Sequence, residues 1–334
     1  MQMKKALTAA LAATLVLTAA CTVIASPLQF DGKVQYQHRF NTKEGAADAI
    51  ENRWKFILNG KAEDFAKNMK LYFRMSAESL NGDTQSSRDF NSFPGQDDND
   101  LNVVSFLDQF GIEIQNAGWN YKIGRQDAFI GANGLIYDST YGIGKHIFAD
   151  GITVTGKSGV TSISATALQL DQYGHKDPKI YAVAASYNPS KDLTVGTTLV
   201  KLNGENFTTD KKFWDVNSSY NFNSKLNIYG EYAKSDASTY NKSYVYGINY
   251  DVDKKNSLWT CYSNVERSGN IVDNWSTTTY DNNAKGIYYG FGHKFDKSTT
   301  LNLFYSSMKK IETVGSVPAG TKFTSFRSTI TYKF

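Results

Sequence analysis

The final nine residues, Phe326-Arg327-Ser328-Thr329-Ile330-Thr331-Tyr332-Lys333-Phe334, decide the fold. Phe326, Ser328, Ile330, Tyr332 and Phe334 fall on one parity, and Arg327, Thr329, Thr331 and Lys333 on the other. A period of two makes this a strand with one apolar and one polar face. The same alternation runs upstream. Tyr244, Tyr246, Ile248 and Tyr250 interleave with Val245, Gly247, Asn249 and Asp251, and Ile287, Tyr289, Phe291 and Phe295 interleave with Tyr288, Gly290 and Lys294. Tyr181, Val183, Ala185 and Tyr187 repeat the pattern, whereas around Trp259 and Cys261 either face fits outside.

The connections sharpen the picture. Asn188-Pro189-Ser190, Asn223-Ser224, Asp253-Lys254-Lys255 and Asp296-Lys297-Ser298 are tight turns built from turn-forming residues. Between them lie longer polar stretches at 202–211, 235–242, 267–283 and 312–321. Short and long connections alternate, as they do in outer-membrane β-barrels and as they do not in a soluble β-sandwich. Carried back to Lys33, the reading places strands at 33–40, 51–59, 66–79, 106–116, 118–126, 147–156, 159–171 and 178–188. Eight more follow at 191–202, 211–222, 224–234, 243–253, 256–267, 284–295, 298–310 and 322–334. The expected fold is an all-β, transmembrane antiparallel barrel of about sixteen strands, with fourteen or eighteen as the neighbouring counts.

The other end of the chain agrees. Lys4 and Lys5 precede an apolar stretch from Ala6 to Ala20 that is short for a membrane-spanning helix. Val23-Ile24-Ala25 offers small residues for cleavage before Ser26, so residues 1–25 read as a signal peptide and 26–334 as one barrel domain. Lipidation at Cys21 is the alternative, since Thr18-Ala19-Ala20 loosely fits a lipobox. Two of the 36 basic residues and none of the 32 acidic ones lie in that segment, so the remaining 309 residues carry a net charge of +2. This near balance argues against a nucleic-acid partner. Cys261 is then the only cysteine, which excludes an intrachain disulfide. A mean hydropathy of −0.43 fits a barrel that turns half its residues to a wet lumen.

Parity also sorts the charges. In 51–59, Trp54, Phe56 and Leu58 take the outer face and send Arg53, Lys55 and Ile57 inward. In 66–79, Met69, Leu71, Phe73 and Met75 go outward, and Lys70, Tyr72, Arg74 and Glu78 inward. Lys33, Gln35, Gln37 and Arg39 oppose Val34, Tyr36 and Phe40, and Arg327 lies across the closure. A lipid-facing charge near mid-bilayer costs about 2–4 kcal/mol, which warrants the inward assignment. Arg125 shares parity with Trp119, Tyr121 and Ile123, so either a bulge near Gly124 turns it inward or it sits above the membrane.

Gly124-Arg125-Gln126 followed by Gly134-Leu135-Ile136-Tyr137-Asp138, after the fifth strand, resembles the general-diffusion porins of Gram-negative bacteria, as does the order of strands and loops. The resemblance implies that the loop at 127–146 folds into the barrel and narrows it. It also implies that basic residues of the wall face acidic residues of that loop across the throat. Arg39, Arg53, Lys55, Lys70, Arg74, Arg125 and Arg327, with Asp127 and Asp138, are the constriction residues on this reading. The loop is shorter than is usual in the family and lacks a Pro-Glu-Phe-Gly-Gly tip. Ile330, Tyr332 and Phe334 form the membrane-assembly signal read by the barrel-assembly machinery. The resemblance further implies a homotrimer in the outer membrane, latched by the second long loop, Asn81 to Asp100. The acidic run Asp97-Asp98-Asn99-Asp100 offers oxygen ligands to a divalent cation as a second reading of that loop.

The expected function is passive diffusion of small hydrophilic solutes and ions, with no cofactor and no resident metal. Three rivals stand beside it. A channel specific for sugars or anions would use lumen aromatics, and Tyr72, Tyr229 and Phe304 have inward parity. An enzyme would need His38, His146, His175 or His293 beside a nucleophile, and none lies in such a local pattern. A barrel serving as an envelope tether would carry a further domain.

Overall fold

A computed structural model describes residues 28–81, 103–144, 147–171, 177–204, 209–271 and 279–334. The expected cleavage site, Cys21 and nearly all of the 81–100 loop lie outside these residues. The chain builds β1 (Leu28–Lys43), β2 (Ala49–Ala66), β3 (Met69–Asn81), β4 (Val103–Asn116), β5 (Trp119–Gln126), β6 (Phe129–Ile130), β7 (Tyr137–Asp138), β8 (Ala149–Ser158) and β9 (Thr161–Leu170). The second half supplies β10 (Lys179–Tyr187), β11 (Leu193–Asn203), β12 (Lys211–Asn221), β13 (Leu226–Ser235), β14 (Lys242–Asp251), β15 (Asn256–Val265), β16 (Ala284–Lys294), β17 (Thr299–Lys310) and β18 (Lys322–Lys333).

All but β6 and β7 join one closed sheet of sixteen antiparallel strands, in which each strand pairs with its chain neighbours and β5 pairs with β8. The small β6–β7 hairpin belongs to the loop between β5 and β8. All sixteen expected strands form, and β1 and β2 run several residues further than the alternation alone indicated. Closure is made by β1 against β18, from Lys33 opposite Lys333 to Lys43 opposite Phe323. It ends in a reciprocal pair of backbone bonds, Gly32 N to Phe334 O at 3.0 Å and Phe334 N to Gly32 O at 3.1 Å. Ring stacking of Phe334 on Phe56, with centroids 6.1 Å apart, adds a contact on the outer face.

The outer face is apolar and aromatic: Trp54, Tyr181, Leu199, Trp214, Tyr246, Tyr289 and Tyr332 are all exposed. On β15 the ambiguity resolves, since Leu258 is exposed while Cys261 is buried on the inner face. The inner face is not uniformly polar. At the long-loop end of β9 to β14 it carries Leu168, Leu170, Ile180, Val200, Leu202, Phe213 and Val245, which pack with Leu135, Ile136 and Tyr137 of the β5–β8 loop and with Ile271. A second hydrophobic core therefore lies inside the cylinder. Full burial of a side chain such as Leu135 or Ile136 contributes about 1.5–3 kcal/mol.

At the other end, turn carboxylates hold the short connections. Asp296 Oδ1 accepts the N–H groups of Ser298 and Thr299, each at 2.7 Å, and Asp253 Oδ1 accepts those of Lys255 and Asn256 at 2.7 and 2.8 Å. Hydrogen bonds from the Ser298 and Thr299 amides hold the Asp296 carboxyl below its ordinary range. Those from the Asn256 side chain and the following amides do the same at Asp253. A depressed folded pKa contributes stability above the unfolded value of about 3.9 and loses it as pH falls through the folded value. The variant Asp253→Asn/Asp296→Asn is therefore expected to show a smaller loss of stability between about pH 5 and 2 than the parent, measured by denaturant unfolding of the folded barrel. Deleting Phe334 removes the last rung of the closing pair. Membrane-assembled protein is expected to fall while total synthesis holds, read by fractionation of expressing cells; unchanged membrane levels would refute a terminal assembly signal.

Candidate functional site

Four adjacent strands, β18, β1, β2 and β3, turn a basic wall toward the lumen. Arg39 stands directly opposite Arg327 in register, a like-charge juxtaposition that needs acids nearby. Glu51 and Glu78 supply them. Glu51 Oε2 lies 2.8 Å from Arg53 Nη2 and 3.5 Å from Arg39 Nη1. Glu78 Oε1 lies 3.4 Å from Arg53 Nη1 and 3.7 Å from Lys55 Nζ. The Arg327 guanidinium sits 4.7 Å from the centroid of Phe304. Arg39, Arg53, Lys55 and Arg327 are thus brought together, with their acids interleaved on the same wall.

Arg74 has a different task. Its Nε and Nη2 donate to the two carboxylate oxygens of Asp108, each at 2.8 Å, and Nη2 also donates to Gly142 O at 3.0 Å. The guanidinium lies 4.4 Å from the ring centroid of Phe148. Asp108, fully buried, further accepts Ser76 Oγ and the Gly144 amide. Asp108 owes its place to a β-bulge: Arg74 pairs with Gln109 and Met75 with Leu107, so Asp108 is the extra residue. The bulge sends two consecutive residues, Asp108 and Gln109, away from the exposed face that holds Leu107 and Phe110. Simple parity does not reveal it.

Gly142 and Gly144 belong to the β5–β8 loop, so this cluster ties one end of the loop to β3 and β4. The other end is tied to β13. Glu231 Oε2 accepts the Asn133 amide at 2.6 Å and Asn133 Nδ2 at 3.1 Å. Gly131, with φ +91°, brings the backbone so close to Glu231 that a side chain there would collide with the carboxylate. In the sixteen-strand order β13 is seven places from β4 and eight from β3, which is half the circumference. The loop also bonds to the β15–β16 connection, where the Ile271 amide donates to Ile136 O at 2.9 Å.

The remaining constriction candidates fall elsewhere. Asp138 is buried within the loop, where it accepts the Thr140 amide at 2.8 Å, Thr140 Oγ1 at 2.6 Å and Thr279 Oγ1, rather than facing the arginines. Asp127 pairs with Lys122 Nζ at 3.1 Å. Lys70 lies beside the β2–β3 turn, 2.6 Å from Glu63, at the short-turn end of the barrel. Arg125 shows no inward bulge: the β5–β8 register is continuous, and Arg125 stands opposite exposed Phe110 on one side and Asp150 on the other. It is an outer-face residue at the long-loop rim, 2.6 Å from Asp150 and 2.8 Å from Asp171.

Below the loop tip, on the side of β8 to β14, lies a cavity of about 940 Å³. Asn120, Thr155, Ser164, Thr198, Asn217 and Asn249 line it with hydroxyls and amides, and Phe129 of the loop forms part of its boundary. On this side of the lumen hydroxyls and amides predominate, with Lys157 the charged side chain among the cavity's lining residues.

The sequence matches no protein-family model and no curated protein. The fold has solved counterparts. A triple mutant of the Rhodopseudomonas blastica porin superposes with a TM-score of 0.58 at 11% identity, over 92% of this chain and 100% of that one. A fivefold mutant of the same porin gives 0.59 at 12% identity with the same coverage.

Replacing Asp108 by Ala leaves Arg74 buried without its carboxylate and releases the loop from β4. A loss of about 3 kcal/mol in folding free energy is expected, together with faster proteolysis within 127–148 of the folded barrel; unchanged values in both would remove Asp108 as an anchor. At this level of identity the comparison establishes architecture: the chain has the closed sixteen-strand barrel fold of the porins.

Proposed function

We propose that this chain is an outer-membrane pore for the passive diffusion of small hydrophilic solutes and ions. In this reading residues 1–25 direct export, the mature barrel spans the outer membrane with its aromatic exterior in lipid, and the β5–β8 loop crosses the lumen and narrows it. The observation that carries the reading is the anchoring of that loop at Asp108 and Arg74 on one side and Glu231 on the opposite side. A loop held across a cylinder of this size leaves an aperture instead of a plug spanning the whole bore.

The apolar core between the loop and β9 to β14 closes that side at the long-loop end, so solutes pass along the wall of β18, β1, β2 and β3. There Arg39, Arg53, Lys55 and Arg327 outnumber Glu51 and Glu78. A net positive throat with low-dielectric walls concentrates anions. Arg74 acts as a loop anchor in this scheme, and Asp127 and Asp138 do not form a facing acidic row. Insertion proceeds through recognition of Ile330, Tyr332 and Phe334 by the barrel-assembly machinery, and three copies associate. The fold favours a channel over an enzyme or a tether.

A second reading, a channel with preference for uncharged sugars, rests on the hydroxyl- and amide-lined cavity under the loop tip. Planar-bilayer recording separates the two. Large ohmic steps with an anion-biased reversal potential, reduced or reversed in Arg39→Glu/Arg53→Glu, are the expected result for a diffusion pore. Saturable block by a disaccharide added from the short-turn side is the signature of the sugar channel. Silence from correctly folded protein would overturn both.

A further inference from the structure

On β15, where the alternation fits either way, the fold turns Leu258 outward and Trp259 into the lumen. The indole lies over Gly290, its partner in register on β16, where any side chain would collide with Nε1 and Cε2. It thereby reaches across β16 to Phe304 on β17, with ring centroids 6.1 Å apart and planes inclined at 47°. Behind them the Tyr288 ring, 5.7 Å from Phe304, is buried and donates its hydroxyl to Asp281 Oδ2 at 3.0 Å. Trp259 and Phe304 are only half-buried, so the pair forms an aromatic step on the lumen wall. Apolar ring surface left in water forgoes the free energy that covering it would return.

The step is continuous with the throat. In register Phe304 stands opposite Arg327, and Arg327 opposite Arg39. The Arg327 guanidinium lies 4.7 Å from the Phe304 centroid. Among the described residues it makes no ion pair, and its Nε donates to Ser325 Oγ at 3.3 Å. Arg39 adds a buried Nε without a hydrogen-bond partner among the described residues. The next inward rung toward the short-turn end is built from Ser257, Gly292, Asn302 and Thr329, and it continues to Gln37 and Arg53. Small residues beside large rings make a notch, with the aromatic step along one side and guanidiniums at its end.

We propose that this notch is a weak binding subsite for aromatic carboxylates, planar rings that carry one or two carboxylate groups. This deepens the pore reading above, on which it rests, by naming a solute class for the same throat. The ring of the solute packs on Trp259 and Phe304 in offset or edge contact. Its carboxylate accepts hydrogen bonds from Arg327 and Arg39, whose planar forks match carboxylate geometry. Arg39, Arg53, Lys55 and Arg327 exceed Glu51 and Glu78 by two charges, which suits a monoanion or a dianion. An aliphatic acid would use only the guanidiniums, and a neutral arene only the rings.

The test is fluorine NMR with para-fluorobenzoate as the probe, titrated onto the protein purified from membranes of expressing cells and kept folded in detergent micelles. Saturable broadening of the fluorine line, displaced by benzoate, is the expected result. Cyclohexanecarboxylate has the same charge and no π-system, and it should displace the probe roughly tenfold less well. The neutral para-fluorobenzamide should bind about tenfold more weakly than the probe. Trp259→Leu/Phe304→Leu should lower benzoate to the level of the aliphatic acid, while Trp259→Phe/Phe304→Tyr, which keeps both rings, should retain the parent's preference. Arg327→Gln should lower benzoate to the level of the amide. Equal displacement by benzoate and cyclohexanecarboxylate would overturn the proposal and leave an unselective anion site. Equal binding of the amide and the acid would overturn it in favour of apolar partitioning. Both comparisons are made on the parent, so they hold even where a variant fails to fold. Binding is read without current: a protein that conducts chloride in a planar bilayer yet shows no saturable broadening refutes the subsite alone, and one that binds yet never conducts refutes the pore alone.

Discussion

The structure depends on one pairing, β1 with β18. An open sheet of sixteen strands would present two edges of unpaired N–H and C=O groups, and in an apolar solvent each such group costs several kcal/mol. Antiparallel pairing from Lys33↔Lys333 to Lys43↔Phe323 removes both edges at once. Closure also sorts the chain. A closed sheet has an inside and an outside that no loop exchanges, so residue parity becomes a choice between two environments. The barrel's outer aromatics and its lumen arginines are both consequences of that choice.

This is why the strands were legible and the throat was only partly so. Alternation and turn residues are local signals, and they located every strand of the cylinder. They also placed Arg39, Arg53, Lys55, Arg74 and Arg327 inward. Parity failed where its premise failed. Asp108 sits at a bulge, which sends two neighbours to one face, and so the strongest partner of Arg74 stayed hidden. Arg125 is the converse: parity allows either a bulge that turns it inward or a place beyond the membrane, and the register runs unbroken, so it stays on the outer face at the long-loop rim beside a carboxylate pair.

The loop was harder still. Its anchors lie far from it in sequence, with Asn133 and Glu231 separated by 98 residues, and no spacing rule links them. Asp138 looked like an acid awaiting an arginine, because a one-dimensional reading cannot tell a carboxylate that faces the lumen from one saturated by Thr140 and Thr279. A signal was nevertheless present. The inward positions Leu168, Leu170, Ile180, Val200, Leu202 and Phe213 are apolar on strands whose outward positions are apolar too, which contradicts a wet lumen. Apolar residues at the inward positions of these strand ends mean that something apolar covers the inner side, and residues 135–137 are what covers it.

The positive charges of the inner wall are held in place by the wall itself. Glu51 pairs with Arg39 and Arg53, Glu78 with Arg53 and Lys55, and Arg327 lies over Phe304, so the field in the throat is the small surplus left after pairing, borne by side chains too constrained to follow a passing ion. Constrained charges suit a pore, because a solute must be attracted without being kept.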